Sequence, residues 1–177
     1  VQHPPEIMSN MPAGTKIAPD ESQLRCIGCG ATTDATGLGL RCDSCGDLLE
    51  VVFPGWNTSE GKRAAGLDAP ALKSLWRNRR MLLQPEEQSG VWRFREVLPA
   101  LGDDHAIITL REGNTPLYEL HLGAQVAGVE KLYAKHQGMN PTGSFKDTGM
   151  TTAASFARKE GFRWLACAST GNTSASM

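Results

Sequence analysis

The chain has 177 residues, of which 40% are hydrophobic and 21% are charged, and its formal net charge is −1. This balance is ordinary for a globular protein, and it lacks the basic excess that would predict a nucleic-acid partner. A membrane-spanning helix needs about 20 apolar residues, and no apolar run in the sequence is nearly that long. No signal peptide is visible either. We therefore predict a cytoplasmic protein without membrane contacts.

The first segment, residues 1–23, is predicted to be a disordered tail. It contains Pro4, Pro5, Pro12 and Pro19 but few large apolar residues. Such a segment cannot bury enough apolar surface to offset the entropy of ordering.

Two Cys-x2-Cys pairs follow, each with a glycine directly after it. The four cysteines are Cys26, Cys29, Cys42 and Cys45. Four thiolates with this spacing suit tetrahedral zinc, and the glycines let the backbone turn so that N–H groups face sulfur. We therefore predict a structural zinc ribbon over residues 24–53. Two disulfides or a dithiol redox site are the alternatives, although nothing else indicates an oxidising compartment.

The segment 54–110 is predicted to be mainly helical. Residues 69–83 place five large apolar side chains on one side of a helix: Leu72, Leu75, Trp76, Leu82 and Leu83. Three arginines of this helix form a basic cluster: Arg77, Arg79 and Arg80. We interpret this cluster as a solvated helix face rather than a phosphate site. Residues 89–101 are predicted to form a second short helix.

Residues 111–120 are predicted to be a loop that leads into a strand. Gly113 and Asn114 favour a turn there, and Pro116 prevents a helix. Another short strand is predicted at 132–135, and it leads into the most informative part of the chain.

Residues 140–147 read Asn-Pro-Thr-Gly-Ser-Phe-Lys-Asp and place a lysine at the start of a predicted helix. Ser144 and Asp147 have the spacing of a capping box, so Lys146 is expected in the first helical turn. The positive end of the helix dipole and partial burial favour the free amine that Schiff-base chemistry with an aldehyde cofactor requires. The buried face of this helix is predicted to consist of Met150, Ala153, Ala154 and Ala157.

Residues 162–168 are short and apolar and follow that helix, so they predict a buried strand of a parallel sheet that includes Cys167. A loop of Ser, Thr, Gly and Asn at 169–173 opens onto another helix, where N–H groups can hold a carboxylate. Each motif alone is typical of an ordinary turn or a surface lysine. Their order and shared α/β context indicate an enzyme that acts on amino acids through pyridoxal phosphate (PLP).

These segments resemble the N-terminal part of the threonine synthase family of fold-type II PLP enzymes. Residues 89–99, 111–117, 140–147 and 168–176 carry the resemblance, which covers about residues 24–177. It implies an α/β fold: an incomplete PLP-binding domain over 111–177, similar to the tryptophan synthase β fold, preceded by the zinc ribbon. Some members of the family carry a similar ribbon.

The resemblance also implies roles for individual residues. Lys146 corresponds to the lysine that binds PLP, and Asn172 corresponds to the asparagine that contacts the phenolic oxygen of the cofactor. In that family the loop that corresponds to 111–117 approaches the active site, so Thr115 is a weaker candidate for a contact with the substrate. The loop that would surround the substrate carboxylate consists of Ser169, Thr170, Gly171 and Thr173.

The resemblance implies a reaction that converts O-phospho-L-homoserine and water to L-threonine and phosphate. The substrate is thus a small amino acid, and the full-length enzyme is expected to be a homo-oligomer. Threonine dehydratase and cysteate synthase are the nearer alternatives, because they share the lysine and the asparagine loop. A non-enzymatic zinc-ribbon binding module is the more distant alternative.

The sequence ends within a predicted helix and begins with Val rather than Met. It contains neither the glycine-rich loop expected to hold the PLP phosphate nor a partner for the pyridine nitrogen. We therefore expect an N-terminal fragment of a larger enzyme, poorly stable and inactive alone.

Overall fold

The computed structural model describes residues 22–34, 39–54, 67–99, 101 and 104–177. The chain divides into two compact units, Val1–Asp68 and Ala69–Met177. Nearly all of the tail predicted to be disordered lies outside the described residues. The finer domain boundaries, at 53/54 and 110/111, stay predictions.

The first unit contains a three-stranded antiparallel sheet with the order β2-β1-β3. Its strands are β1 (Gln23–Cys26), β2 (Thr32–Asp34) and β3 (Leu49–Val52). The two predicted cysteine turns flank this sheet. Gly30 and Gly46 end those turns with φ angles of 75° and 76°, in the left-handed region that favours glycine. The predicted role of these glycines is thereby confirmed.

The second unit begins with α1 (Ala69–Arg79), α2 (Pro85–Gln88) and a 3-10 helix at Trp92–Val97. The predicted helix 69–83 therefore ends four residues early, because Met81 and Leu82 donate backbone hydrogen bonds three residues back and close a tight turn. The second predicted helix is also shorter than 89–101. The Ser89 hydroxyl accepts hydrogen bonds from Val91 N (3.0 Å) and Trp92 N (2.9 Å), so that the regular turn starts only at Trp92.

One of the three arginines predicted to be solvated belongs instead to a partly buried ion-pair network. Arg79 lies 2.5 Å from Glu96 and 3.3 Å from Glu87, while Arg95 lies 2.7 Å from the other oxygen of Glu87. Burial raises the pKa of Glu96, but hydrogen bonds from Arg79 and Trp76 outweigh it and hold that pKa below its usual value. This network joins α1 to α2 and to the 3-10 helix.

The strand predicted at the end of residues 111–120 and the strand predicted at 132–135 are confirmed as β4 (Leu117–Glu119) and β5 (Tyr133–Lys135). They pair in antiparallel fashion, and α3 (His121–Ala127) connects them. A short 3-10 helix at Gln137–Met139 and a turn then lead into α4 (Lys146–Lys159).

The buried stripe of α4 is polar, so the predicted apolar face was wrong. Asp147, Thr151 and Ser155 are buried, whereas Ala153 is exposed. Spacings of four residues place the three polar side chains on one face. That face is buried because segment 107–110 lies against it: Thr151 Oγ1 donates to Ile108 O (2.6 Å), and Ile108 N donates to Ser155 Oγ (2.9 Å).

The strand predicted at 162–168 was also wrong. This segment is irregular, and its large side chains are exposed; Trp164 is 90% exposed. A strand forms only where a neighbouring strand exchanges hydrogen bonds with it, and no strand in the described part of the chain pairs with this segment. Cys167 is accordingly half-buried rather than a core residue. The last element is α5 (Asn172–Ser176), which packs against α4.

The described part of the chain is a mixture of helices and strands, and it contains no helix long and apolar enough to cross a membrane.

Candidate cofactor and metal sites

The turn at 140–145 presents Lys146 as the first residue of α4, as the sequence predicts. The predicted capping box is wrong, because the N-cap position is Phe145 and it makes no side-chain cap. The Ser144 hydroxyl instead accepts a hydrogen bond from Lys146 N at 3.3 Å. Asp147 reaches back along the turn and accepts hydrogen bonds from the N–H (2.9 Å) and the hydroxyl of Thr142. A side chain of the first turn of α4 therefore stabilises the turn that precedes this helix.

Lys146 is half-buried as a residue, and its Nζ lies 4.9 Å from the centre of the Phe145 ring. Among the described residues, no carboxylate lies within ion-pair distance of it. A lysine that is partly desolvated and free of a carboxylate partner can serve as a nucleophile.

Asp147 links the lysine turn to α5. Its side chain is almost completely buried, which raises its pKa, but Ser176 and the two donors of Thr142 outweigh this effect and lower the pKa below its usual value. The Ser176 hydroxyl is itself buried and makes no hydrogen bond of regular geometry, although it lies near this carboxylate. The helix that begins at Asn172 thus packs directly beside the first turn of α4.

The loop 107–116 carries Thr115 and is organised around Glu112, which is completely buried. The Glu112 carboxylate accepts hydrogen bonds from the Ser89 hydroxyl, from Thr109 Oγ1 (2.7 Å) and from Leu110 N (3.1 Å). Three donors from the loop and from the segment before it therefore converge on one carboxylate.

The tip of this loop has an unusual backbone. Arg111, Gly113 and Asn114 have φ angles of 58°, 78° and 50°, all in the left-handed region. Such conformations in residues other than glycine cost of the order of 1 kcal/mol each and persist only where the surroundings hold them. Asn114 is held by a 2.8 Å hydrogen bond from its amide to Gln88 O. Strain of this kind is common at functional sites.

Asn140 connects this loop to the lysine turn. Its Oδ1 accepts a hydrogen bond from Gly113 N at 2.8 Å, while its amide nitrogen donates to Gln137 O at 2.8 Å. Thr115 follows two residues after Gly113; its side chain is buried, and its hydroxyl has no hydrogen-bond partner among the described residues. The Thr115 carbonyl accepts a hydrogen bond from the Lys135 amine.

The polar loop 169–173 is mostly exposed. Ser169 and Thr173 are half-buried, whereas Thr170, Gly171 and Asn172 are exposed. Gly171 N donates to Ser169 Oγ at 3.2 Å, and Ser174 Oγ donates to Gly171 O at 2.9 Å. The predicted opening of this loop onto a helix is therefore present, with Asn172 as the first helical residue.

The four predicted metal ligands come together in the first unit. The sulfur atoms of Cys26, Cys29, Cys42 and Cys45 all lie within 4.8 Å of one another. The pair Cys26–Cys45 is separated by 3.4 Å and the pair Cys29–Cys42 by 3.6 Å. Four sulfurs around a tetrahedral ion with 2.3 Å bonds would be about 3.8 Å apart, so the cluster has nearly the right size.

Backbone N–H groups face two of these sulfurs, as predicted. Cys29 N donates to Cys26 Sγ and Ser44 N donates to Cys42 Sγ, both at 3.4 Å. The N–H groups of Ser44 and Cys45 lower the pKa of Cys42 to about 6, and the N–H of Cys29 lowers the pKa of Cys26. Thiolates are the form that binds metal, so the pKa values of Cys26 and Cys42 favour a metal-binding role. The pKa values of Cys29 and Cys45 are raised instead, because backbone N–H groups that lower them are outweighed by hydrogen bonds with the neighbouring sulfurs and by burial, which favour the thiol forms. For these two residues the geometry of the cluster is the evidence.

Two residues that organise the loop 107–116 and the lysine turn, Glu112 and Asn140, were not predicted from the sequence to have these roles. Glu112 gave no signal, because an isolated glutamate beside a turn is usually a surface residue. Asn140 lies in the 140–147 motif, and its position before Pro141 could have suggested a turn-forming side chain. Both matter here through contacts that are distant in sequence.

Comparison with known proteins agrees with this geometry. Residues 108–177 match the family described as pyridoxal-phosphate dependent enzyme. The chain is 38% identical to threonine synthase from Methanosarcina acetivorans over 154 residues, which are 87% of this chain and 33% of that protein. It is 39% identical to threonine synthase from Methanocaldococcus jannaschii, over 86% of this chain and 33% of that protein.

A third relative, threonine synthase from Halalkalibacterium halodurans, is 51% identical over 82 residues, or 46% of this chain and 23% of that protein. The chain thus spans about a third of the length of the first two of these relatives. The resemblance found in the sequence is confirmed: residues 108–177 match the pyridoxal-phosphate dependent enzyme family, and the chain is similar to the threonine synthases.

Proposed function

We propose that Lys146 is the residue that binds pyridoxal phosphate covalently. The observation that carries this proposal is the position of Lys146 at the start of α4, half-buried, in the part of the chain that matches the family. The absence of a carboxylate partner among the described residues supports it, because an ion pair would favour the ammonium form.

The surrounding residues fit the cofactor. The buried Thr115 hydroxyl has no hydrogen-bond partner in the described part of the chain, which is costly unless a ligand atom meets it. Asn172 begins the neighbouring α5, and we propose that its carboxamide donates a hydrogen bond to the cofactor. The loop residues Ser169, Thr170, Gly171 and Thr173 would surround the carboxylate of an amino-acid substrate with N–H and hydroxyl donors.

We further propose that this chain contributes to a threonine synthase reaction, in which O-phospho-L-homoserine and water give L-threonine and phosphate. Bound PLP supplies an electron sink for the charge that develops when protons leave the substrate. Once the amino group of the substrate has displaced Lys146 from the cofactor, the free amine of Lys146 would serve as the base that moves protons at the α and β carbons of the substrate. Thr115 and the 169–173 loop orient the substrate during these transfers.

The experiment uses a chimera in which this chain replaces the matching third of the Methanosarcina acetivorans relative. Threonine and phosphate released from O-phospho-L-homoserine are measured for the chimera and for its Lys146→Ala and Lys159→Ala variants. Lys159 is the matched control, because it lies in the last turn of the same helix. We expect activity in the chimera and in Lys159→Ala, and none in Lys146→Ala.

A chimera that binds PLP but releases no threonine would contradict the proposed reaction. Release of ammonia and 2-oxobutyrate from threonine would instead favour a dehydratase. Activity that survives Lys146→Ala would contradict the assigned lysine.

For the first unit we propose a structural zinc site formed by the four clustered cysteines. Four sulfur ligands leave no open position for catalysis, so the metal would stabilise the ribbon. We expect about one zinc ion per chain, and loss of that zinc in Cys42→Ser but not in Cys167→Ser. Cys167 is the matched control, because it is the one cysteine outside the cluster. Zinc retained in full by Cys42→Ser would refute this site.

A further inference from the structure

Asn140 is the side chain through which the loop that carries Thr115 contacts the turn that carries Lys146. It is buried, with 4% of its surface exposed, and both ends of its carboxamide are used. Oδ1 accepts from Gly113 N at 2.8 Å, and Nδ2 donates to Gln137 O at 2.8 Å and to Gln137 Oε1 at 3.0 Å. Its own carbonyl accepts from Gly143 N at 2.8 Å, which closes the turn before Lys146.

The loop on the other side of this contact needs such an anchor. Its tip contains three left-handed residues, two of which are not glycine. Asn140 holds the central one, Gly113, whose N–H has no other acceptor in the part of the chain that the structure describes. The two loops are 27 residues apart in sequence, and one carboxamide oxygen joins them.

We propose that Asn140 is a positioning residue, which holds the Thr115 loop against the Lys146 turn so that both present their side chains to one ligand. It acts through Gly113 and through the turn, and it is not itself a catalytic residue. The proposal rests on the proposed function in one respect, namely that Lys146 is the lysine that binds the cofactor.

The contact itself is tested by amide hydrogen exchange in the full 177-residue chain labelled with ¹⁵N-glycine. We expect the Gly113 amide to be protected in the wild type, and its exchange to become about tenfold faster in Asn140→Ala, as loss of one hydrogen bond implies. Asn140→Asp keeps the acceptor oxygen, and a buried carboxyl that faces two oxygens of Gln137 favours its protonated form, whose O–H can replace the lost N–H donor. The protection of Gly113 should therefore survive in this variant.

The Gly90 amide is the internal control, because it donates to Glu112 O at 2.5 Å on the other side of the same loop. Gly90 should stay protected in both variants, which separates local release from unfolding. If the alanine variant fails to fold, the aspartate variant and the wild type still decide the question. Rapid exchange of Gly113 in the wild type, or its loss of protection in Asn140→Asp while Gly90 stays protected, would overturn the contact.

The positioning role is tested by treating the same chains with PLP and borohydride and measuring the label on Lys146 relative to Lys159. We expect this ratio to fall about tenfold in Asn140→Ala and to be retained in Asn140→Asp, following the hydrogen bond. An unchanged ratio in a folded Asn140→Ala chain would overturn the positioning role. If PLP labels Lys146 no more than Lys159 in the wild type, the result would contradict the proposed function. The hydrogen exchange of the Gly113 amide would then still test whether Asn140 makes the contact.

Discussion

Replacement of Glu112 by alanine should be among the most destabilising single changes in the second unit. Glu112 is completely buried, and its carboxylate accepts hydrogen bonds from Ser89, Thr109 and Leu110. Ser89 is also completely buried, so its hydroxyl proton would lose its acceptor with no water to replace it. Thr109 and Leu110 are half-buried and exposed, so water would recover most of their hydrogen bonds.

The magnitude follows from these differences in burial. A stranded buried donor costs about 1–3 kcal/mol, and two donors that water can reach cost about 0.5 kcal/mol each. The space left by the lost side chain adds about 1 kcal/mol, because buried methylene groups are removed. We therefore expect Glu112→Ala to lower the free energy of unfolding by about 3–5 kcal/mol, within the range of large single-site effects. Glu112→Gln keeps one carbonyl oxygen and should lose about half as much.

Urea unfolding followed by tryptophan fluorescence measures this effect, because three of the four tryptophans lie in residues 69–177. Glu130→Ala is the matched control, since Glu130 is exposed, and it should change the stability by less than about 0.5 kcal/mol. A loss below about 1 kcal/mol for Glu112→Ala would refute the reasoning that this carboxylate organises the loop.

Three further changes test other contacts of the second unit. Gly90→Ala should destabilise the second unit by about 2 kcal/mol or more and lower its melting temperature, because the new Cβ would lie 2.6 Å from the Gly113 Cα. An unchanged melting temperature would be inconsistent with this packing. Arg93→Met should raise the free energy of unfolding by about 1 kcal/mol, because two nitrogens of the buried guanidinium have no hydrogen-bond partner among the described residues; a loss in urea unfolding would show that the charge is compensated. The folded-state pKa of Asp147 is lowered, so its contribution is present above the unfolded pKa and is lost as the pH falls through the folded pKa. Asp147→Asn should therefore flatten the acid side of the stability–pH profile, and a profile as steep as that of the wild type would speak against this assignment.

The sequence predicted the features that depend on local chemistry. Two Cys-x2-Cys pairs with glycines at the turns were enough to predict a four-sulfur cluster, since each turn needs only its own residues. The start of α4 at Lys146 and the strands at 117 and 133 were predicted for the same reason.

The features that depend on distant partners were not predictable. The polar stripe of α4 is buried because segment 107–110 supplies backbone partners for Thr151 and Ser155. Apolar periodicity favours the alanine face instead and contains no information about that segment. The segment 162–168 has the composition of a buried strand, but a strand exists only where a neighbour exchanges hydrogen bonds with it. The role of Glu112 likewise depends on a distant residue, Ser89, whose hydroxyl donates a hydrogen bond to the Glu112 carboxylate.

The central claim is that Lys146 is the cofactor lysine, and covalent trapping tests it most directly. The chimera with the Methanosarcina acetivorans relative would be loaded with PLP, reduced with borohydride, digested and analysed by mass spectrometry. We expect the pyridoxyl group on the peptide that contains Lys146 and not on the peptides that contain Lys131 or Lys159. A label on another lysine, with Lys146 unmodified in a chimera that releases threonine, would contradict the account.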